Sequence, residues 1–521
     1  MAKSQTMVSS LDQERHSSDP VHTDKENRGT DDDDRMMRIM GKKQVLNRNF
    51  RFISTLGFAC TLMSTWEIEL ASSLFGLLDG GTAGLVWGYL ICWVGYCLVF
   101  ASIAEMASIS PTSGGQYHWV SEFAPQGYQR FLSWLVGWIS VLGWQIGLAS
   151  LTFIVGTVIQ GLIVLNDETY IFERWHGTLL VIAIVLFAII FNSLLASKLP
   201  MVEGIVLIVH ILGFFTVLIT LWVLSPRSSA SEVFGTITNS GGWSSNGLSF
   251  MVGILTPVYT LLGADSAVHM SEEIKDASLT LPRAIMTSAF FNGLLGWVMT
   301  ITFCFCLGDL SSILESPTGY PFIQVFYNST GSYAGASVLT ALIIVNITSA
   351  CISTVATVSR QTWAFARDNG LPMSSTIAHV KPGWNIPLNA VLLTLAITCL
   401  LSLINIGSTV AFNAIGSAAL VSILSTYFIS ISILIFARLR GPLPPHRWDL
   451  GKLGLPINIG AVAWLVTVWV FCFFPLATPT TPQTMNWNCV IYGGLVIIGL
   501  VYWFVWGRRF YRPPVFDVKR D

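Results

Sequence analysis

From residue 52 to residue 507 the chain alternates long apolar stretches with short polar breaks. About 20 helical residues cross about 30 Å of hydrocarbon. Stretches of that kind lie at 52–78, 83–107, 131–164, 177–196, 201–224, 247–270, 285–308, 336–365, 387–406, 409–437, 457–476 and 488–507. The pattern predicts an all-α polytopic membrane protein of twelve spans. Basic residues test the count, because Lys and Arg concentrate in cytosolic loops. With the N-terminus inside, the outer loops hold only Arg174 and Arg227 of the 28 basic residues. One missed or invented span would scramble that asymmetry, so both termini are expected in the cytosol.

Two of the spans are interrupted. Phe250 to Ile285 begins as an apolar helix, breaks at Gly263-Ala264-Asp265, and passes into the charged segment Ser271 to Arg283. An acid at the centre of a span costs roughly 2.5 to 3.5 kcal/mol, so Asp265 must face protein, water or a ligand. It marks a substrate or ion site, or else it caps a broken helix or hydrogen-bonds a neighbouring span. The first span has the same character. Phe52 to Met63 gives way to Ser64-Thr65-Trp66-Glu67 before Ile68 to Leu78, which puts Glu67 and Glu69 inside the bilayer profile. Irregular segments five spans apart, in matching positions of two halves, point to an inverted-repeat transporter whose site forms at the midplane.

Composition agrees with the span count and narrows the class. The chain is 53% hydrophobic and 11% charged, against about 25% charged in ordinary globular domains. Its formal net charge of -1 gives no basis for nucleic-acid binding. No Gly-rich phosphate loop or HExxH signature is present, so neither ATP-driven pumping nor metalloprotease chemistry, and no metal or other cofactor, is expected. The eight histidines are scattered singly, which argues against an enzyme. The nine cysteines lie almost entirely in apolar runs and read as small buried side chains. Residues 1–45 are polar, carry the acids Asp31 to Asp34 and lack a signal-peptide core, so they are expected to form a disordered cytosolic tail. A second cytosolic tail is expected over 508–521.

Further polar positions are candidates for function or for packing. Between the second and third spans, Pro111 and the pair Gly114-Gly115 favour a re-entrant or gating loop. Trp134, Trp138, Trp144 and Gln145 follow in the third span, where aromatic faces pack or hold an ammonium by cation–π attraction. His210 lies at depth in the fifth span, as a proton-exchanging group or as a neutral donor to a carbonyl. Glu272 and Glu273 are gating candidates, with Arg283, Arg360 or Arg367 as partners. Asn328-Ser329-Thr330 is a glycosylation sequon on the predicted outer face. In the eighth span Asn346, Ser349 and Ser353 share a face by spacing, which suits interhelical hydrogen bonds or a polar pathway.

Glu105 to Trp119, Gly143-Trp144-Gln145, His210 to Phe214, Gly263 to Ile285 and Ser359 to Pro372, in that order, resemble amino acid permeases of the amino acid–polyamine–organocation superfamily. Within it they are most similar to the fungal branch with choline and GABA permeases. The resemblance implies a core of two inverted five-helix repeats over 46–437, with two peripheral spans over 438–507. It places substrate between the interrupted spans, contacted also by the third, eighth and tenth, and implies secondary transport, commonly coupled to protons. Many such permeases hold a substrate carboxylate at a Gly-rich first-span break, whereas this chain has Thr65-Trp66-Glu67 there. An aromatic and an acid suit a positively charged amine. The expected substrate is therefore a small amine such as choline, GABA or an amino acid. The expected site comprises Ser64, Thr65, Trp66, Glu67, Trp144, Gln145, Gly263, Ala264, Asp265, Asn346 and Ser349, with His210, Asp265 or Glu67 coupling a proton. A plasma-membrane location is expected, with a vacuolar or other internal membrane as alternative. A nutrient sensor of the same fold, and a channel, are the competing functions.

Overall fold

The computed structural model describes residues 29–167, 169–381 and 384–520, so the expected tail over 1–28 lies outside it. Eleven helices among the described residues are long and apolar enough to cross a membrane. In order they are Gly81–Ile109, Gln129–Asn166, Arg174–Leu194, Ala196–Leu224, Asn246–Glu273, Ala277–Phe305, Tyr333–Arg367, Leu388–Gly407, Asn413–Arg440, Gly451–Phe471 and Asn488–Phe516. The remaining expected crossing, the first in the chain, is split into Phe52–Met63 and Thr65–Leu78, each too short to span alone. Counting that pair as one, the twelve predicted spans are all found. Strand-like pairing among the described residues consists of isolated bridges, such as Phe50 with Ile274.

Burial orders the bundle. In its most apolar window the second span is 72% buried and the twelfth 11%, which puts the twelfth at the periphery. Phe52–Met63 packs among the fifth, seventh and eighth spans, whereas Thr65–Leu78 packs on the second, the sixth and the seventh. The third span lies between the eighth and the tenth. Two of its tryptophans serve packing: Trp134 and Trp138 stack on each other and on Tyr502 of the twelfth span.

The charged segment after the sixth span is shorter than the sequence suggests. The seventh helix already starts at Ala277 and carries Pro282 inside it. Proline has no N–H for the carbonyl four residues back. The Ser108 hydroxyl donates to that carbonyl, Ser278 O, at 2.7 Å, so the acceptor is satisfied and the helix continues.

The described part of the N-terminal tail, residues 29–45, corrects the expectation of disorder. Asp31–Ile39 is a helix with Thr30 as its N-cap. Asp33, only 2% exposed, accepts from the backbone N–H groups of Asp276 and Ala277 at 2.8 and 2.9 Å. It thereby caps the seventh span, whose first N–H groups have no helical partner. Arg48 lies 3.3 Å from Asp33 and donates to Ser271 O at 2.9 Å. The C-terminal segment is docked too. Tyr511 OH lies 2.6 Å from Ser133 Oγ, and Arg520 pairs with Glu122 at 2.8 Å. Burial pushes the Glu122 carboxyl up, but His118 and Arg520 outweigh it and hold the group below its ordinary range. The two segments meet where Lys519 N–H donates to Ile39 O. The described terminal segments, 29–45 and 508–520, therefore lie on one face of the bundle.

These contacts rank the charges of the tail. Asp33→Ala removes one partner of a buried pair and should cost about 3–5 kcal/mol. Arg35→Ala removes an exposed pair with Asp32 and should cost under about 1 kcal/mol. Thermal unfolding of the detergent-purified variants checks the order, and equal losses would contradict it.

Candidate functional site

Both predicted interruptions are present, and they touch. At Ser64 the backbone turns left-handed, with φ 38° and ψ 50°, a conformation that costs a non-glycine residue roughly 1–2 kcal/mol. Local bonds offset the cost. Ser64 Oγ donates to Thr61 O at 2.6 Å, Thr65 Oγ1 donates to Asn292 O at 2.8 Å, and Asn292 Nδ2 donates to Cys60 O at 2.9 Å. Asn292 of the seventh span thus clamps both sides of the break. In the sixth span Gly263 takes φ 106°, and a 3-10 helix runs from Ala264 to Glu273. Ten residues is long for that geometry, which seldom exceeds three or four and often marks a hinge. A Cβ on Gly263 would come within 2.8 Å of Leu62 Cδ2, so the two breaks meet at that glycine.

Trp66 and Glu67 open the second half of the first span and are fully buried. Glu67 Oε1 lies 2.7 Å from His210 Nδ1 of the fifth span. The Trp66 ring sits 6.0 Å from the His210 ring and 6.3 Å from Phe214, centroid to centroid. Asn346 of the eighth span completes the group. Its amide nitrogen and a carbon of the Trp66 ring would each lie 3.4 Å from a Cβ placed on Gly213. Several polar atoms here are buried and unpartnered: Trp66 Nε1, Glu67 Oε2, His210 Nε2 and both amide atoms of Asn346. Each such atom costs about 1–3 kcal/mol unless something satisfies it.

Asp265 is arranged differently. Gln116 Nε2 donates to its Oδ2 at 2.7 Å, and the Tyr427 hydroxyl of the tenth span donates to its Oδ1. Both oxygens are therefore held by protein. Ala264 is buried beside it. Trp144 packs edge-on against His269 of the 3-10 segment, with ring centroids 5.7 Å apart.

Two other expected positions lie elsewhere. Gln145 Nε2 donates to Thr362 and Thr394, at 3.1 Å each, and ties the third span to the eighth and ninth. Ser349 is half-buried and donates back to Val345 O at 2.9 Å, as membrane-helix serines do when no other acceptor is near. Its predicted companion Ser353 donates to Glu203 Oε1 at 2.7 Å. Glu203, a buried acid near the start of the fifth span, was not singled out from the sequence.

On the face that carries the termini, Arg367 grips Glu272 with both terminal nitrogens, at 2.7 and 2.9 Å, and Arg360 Nε meets Glu273 at 2.7 Å. These pairs join the end of the sixth span to the end of the eighth. Lys42 and Tyr117 extend the cluster through Asp368. Arg283 is exposed on the seventh helix, so the expectation that it pairs with the gating acids is corrected. Because the seventh helix begins at Ala277, its register carries Arg283 outward. Asn328 is exposed at the end of the helix Pro321–Thr330.

Comparison with known proteins agrees with this architecture. Residues 50–496 match the amino acid permease family. A choline transporter of Saccharomyces cerevisiae is 31% identical over 89% of this chain and 82% of its own length. An uncharacterized amino-acid permease of Schizosaccharomyces pombe is 30% identical over 96% and 93%. An amino-acid permease of Arabidopsis thaliana is 30% identical over 92% and 96%. The family match covers both interrupted spans and most of the bundle, and the chain belongs to the amino acid permease family of integral membrane proteins.

Proposed function

We propose that the protein is a proton-coupled secondary transporter of a small amine-bearing solute, such as an amino acid, choline or GABA, with both termini in the cytosol. The observation that carries this reading is the buried group Trp66, Glu67, His210 and Asn346, in which Glu67 and His210 hold each other and five further polar atoms lack partners at a helix break. Glu67 Oε2 and Asn346 Oδ1 can accept from an ammonium, while Trp66 Nε1 and Asn346 Nδ2 can donate to a carboxylate or hydroxyl. The Trp66 ring offers cation–π attraction to a quaternary amine that has no N–H to donate. The similarity to a choline transporter and to amino-acid permeases supports both substrate types. His210, within hydrogen-bond reach of Glu67, is the proton-coupling group in this reading, since the oxygens of Asp265 already have protein donors.

The ion pairs Glu272–Arg367 and Glu273–Arg360 close the inner end of the path in this reading. The plasma membrane is the proposed location, because a carrier driven by an inward proton gradient gathers solute there.

Three outcomes follow. Reconstituted protein offered choline, GABA, polyamines and neutral and basic amino acids should take up at least one of them saturably, faster with an inward pH gradient. Uptake that survives replacement of both acids, Glu67→Gln with Asp265→Asn, would sink the amine site. His210→Gln should abolish pH-driven accumulation and leave exchange of the same solute intact. Arg367→Ala should open the inner end and raise alkylation of the fully buried Cys60, read by site-resolved mass spectrometry. Unchanged labelling would remove Arg367 from the gate.

A further inference from the structure

Glu69 is a buried acid that the amine site does not use. It lies two residues beyond Glu67 on the same helix, a rotation of about 200°, so the two carboxylates leave opposite sides. Glu67 faces the fifth span and finds His210. Glu69 faces the second, sixth and seventh spans and is 2% exposed.

The groups around it are uncharged. The Thr260 hydroxyl faces it from the sixth span. The second span brings the Tyr89 hydroxyl and the Cys92 thiol into electrostatic reach, and the seventh brings Cys304. All four side chains are buried. The eighth span and the helix Pro321–Thr330 also pack on Thr65–Leu78. The helix carries no acid or base, and the two arginines of the span, Arg360 and Arg367, are engaged by Glu273 and Glu272. Neither oxygen of Glu69 has a close hydrogen-bond partner, and the nearest donor is the facing Thr260 hydroxyl. An ionised carboxylate without a cation is the costliest group a membrane interior can hold, whereas a neutral acid is both donor and acceptor.

We infer that Glu69, with Tyr89 and Thr260, forms a second ion-binding site whose ligand is a proton, separate from the Glu67–His210 pair. The carboxyl takes the proton on one oxygen and donates it to a neighbouring hydroxyl. It rides on Thr65–Leu78, the half-helix that begins at the Ser64 break. Release therefore requires that half-helix to move and admit water, which ties proton exchange to the same motion that opens the amine site. The inference rests on the proposed transport for its consequence, but not for the site itself.

Infrared difference spectroscopy of the purified protein in H2O and D2O reads the site without any substrate. Wild type at neutral pH should show a protonated-carboxyl carbonyl band that is missing from Glu69→Gln and from the apolar variant Glu69→Met. The same band intensity in both variants would overturn the inference whether or not an amine is transported. In proteoliposomes that take up an identified amine, Glu69→Gln should lose pH-driven accumulation at least tenfold and keep solute exchange within about twofold. It should also flatten the dependence of KM on external pH, which His210→Gln should retain. Loss of exchange along with accumulation, in a variant as thermally stable as wild type, would assign Glu69 to the substrate and overturn the proton site. Wild-type uptake that needs sodium or potassium, and loses that need in Glu69→Gln, would replace the proton by an alkali cation.

Discussion

A carboxylate inside hydrocarbon must be paired, hydrogen-bonded, neutralised or given a ligand, and the fold of this permease is arranged around that requirement. Several acids are buried in or beside its spans, and five of them receive answers that differ in kind. Glu272 and Glu273 have arginines, which tie the end of the sixth span to the eighth. Asp265 has two neutral donors, from Gln116 and Tyr427, and fixes the sixth-span break against the tenth span and the connection after the second. Glu67 has one partner and one free oxygen. Glu69 has only the facing Thr260 hydroxyl. Both of these sit on the half-helix that follows Ser64, and Glu203 of the fifth span likewise keeps one oxygen without a partner.

The breaks supply the mobility that such a half-helix needs. A continuous first helix would satisfy its backbone internally and leave nothing free at the midplane. Ser64 in a left-handed conformation ends one half and starts the other, and Asn292 holds the two ends by bonds that a modest rotation can exchange. The sixth span answers with a ten-residue 3-10 segment, a geometry with poorer hydrogen bonds than an α-helix. Because Gly263 and Leu62 are in contact, displacement of one break is felt by the other. On the face carrying the termini, the docked N- and C-terminal segments and the Arg–Glu pairs oppose that displacement with contacts of long sequence separation.

Much of this was legible in the residues. Apolar length and the distribution of Lys and Arg gave all twelve spans, and the polar interruptions at Ser64 to Glu67 and Gly263 to Asp265 gave both breaks. His210 was visible as a lone ionisable group at depth, although nothing local named Glu67 as its partner. What escaped depended on contacts between distant parts of the chain. Asp33 and Arg48 look like ordinary solvated charges until the start of the seventh helix is brought to them. Gln145 and Ser349 sat at plausible spacings, but the threonines of neighbouring spans and the helix backbone claim them. Arg283 was misplaced because the charged segment was read as running to it, whereas the seventh helix begins at Ala277 and Ser108 satisfies the carbonyl that Pro282 leaves free. Glu203 escaped because it stands near the start of its span, where an acid is ordinary, and only the packed structure shows it buried against Ser353.

The central claim is that the free oxygen of Glu67, and not Asp265, meets the amine. Calorimetric titration of the purified protein with an amine that it takes up tests this directly in three proteins: wild type, Glu67→Gln and Asp265→Asn. Losing a charge-assisted hydrogen bond is worth about 1.5–3 kcal/mol, or roughly 10- to 150-fold in affinity. The account predicts a loss of that size for Glu67→Gln and less than about threefold for Asp265→Asn. The reverse order, or undiminished binding to Glu67→Gln, would contradict it.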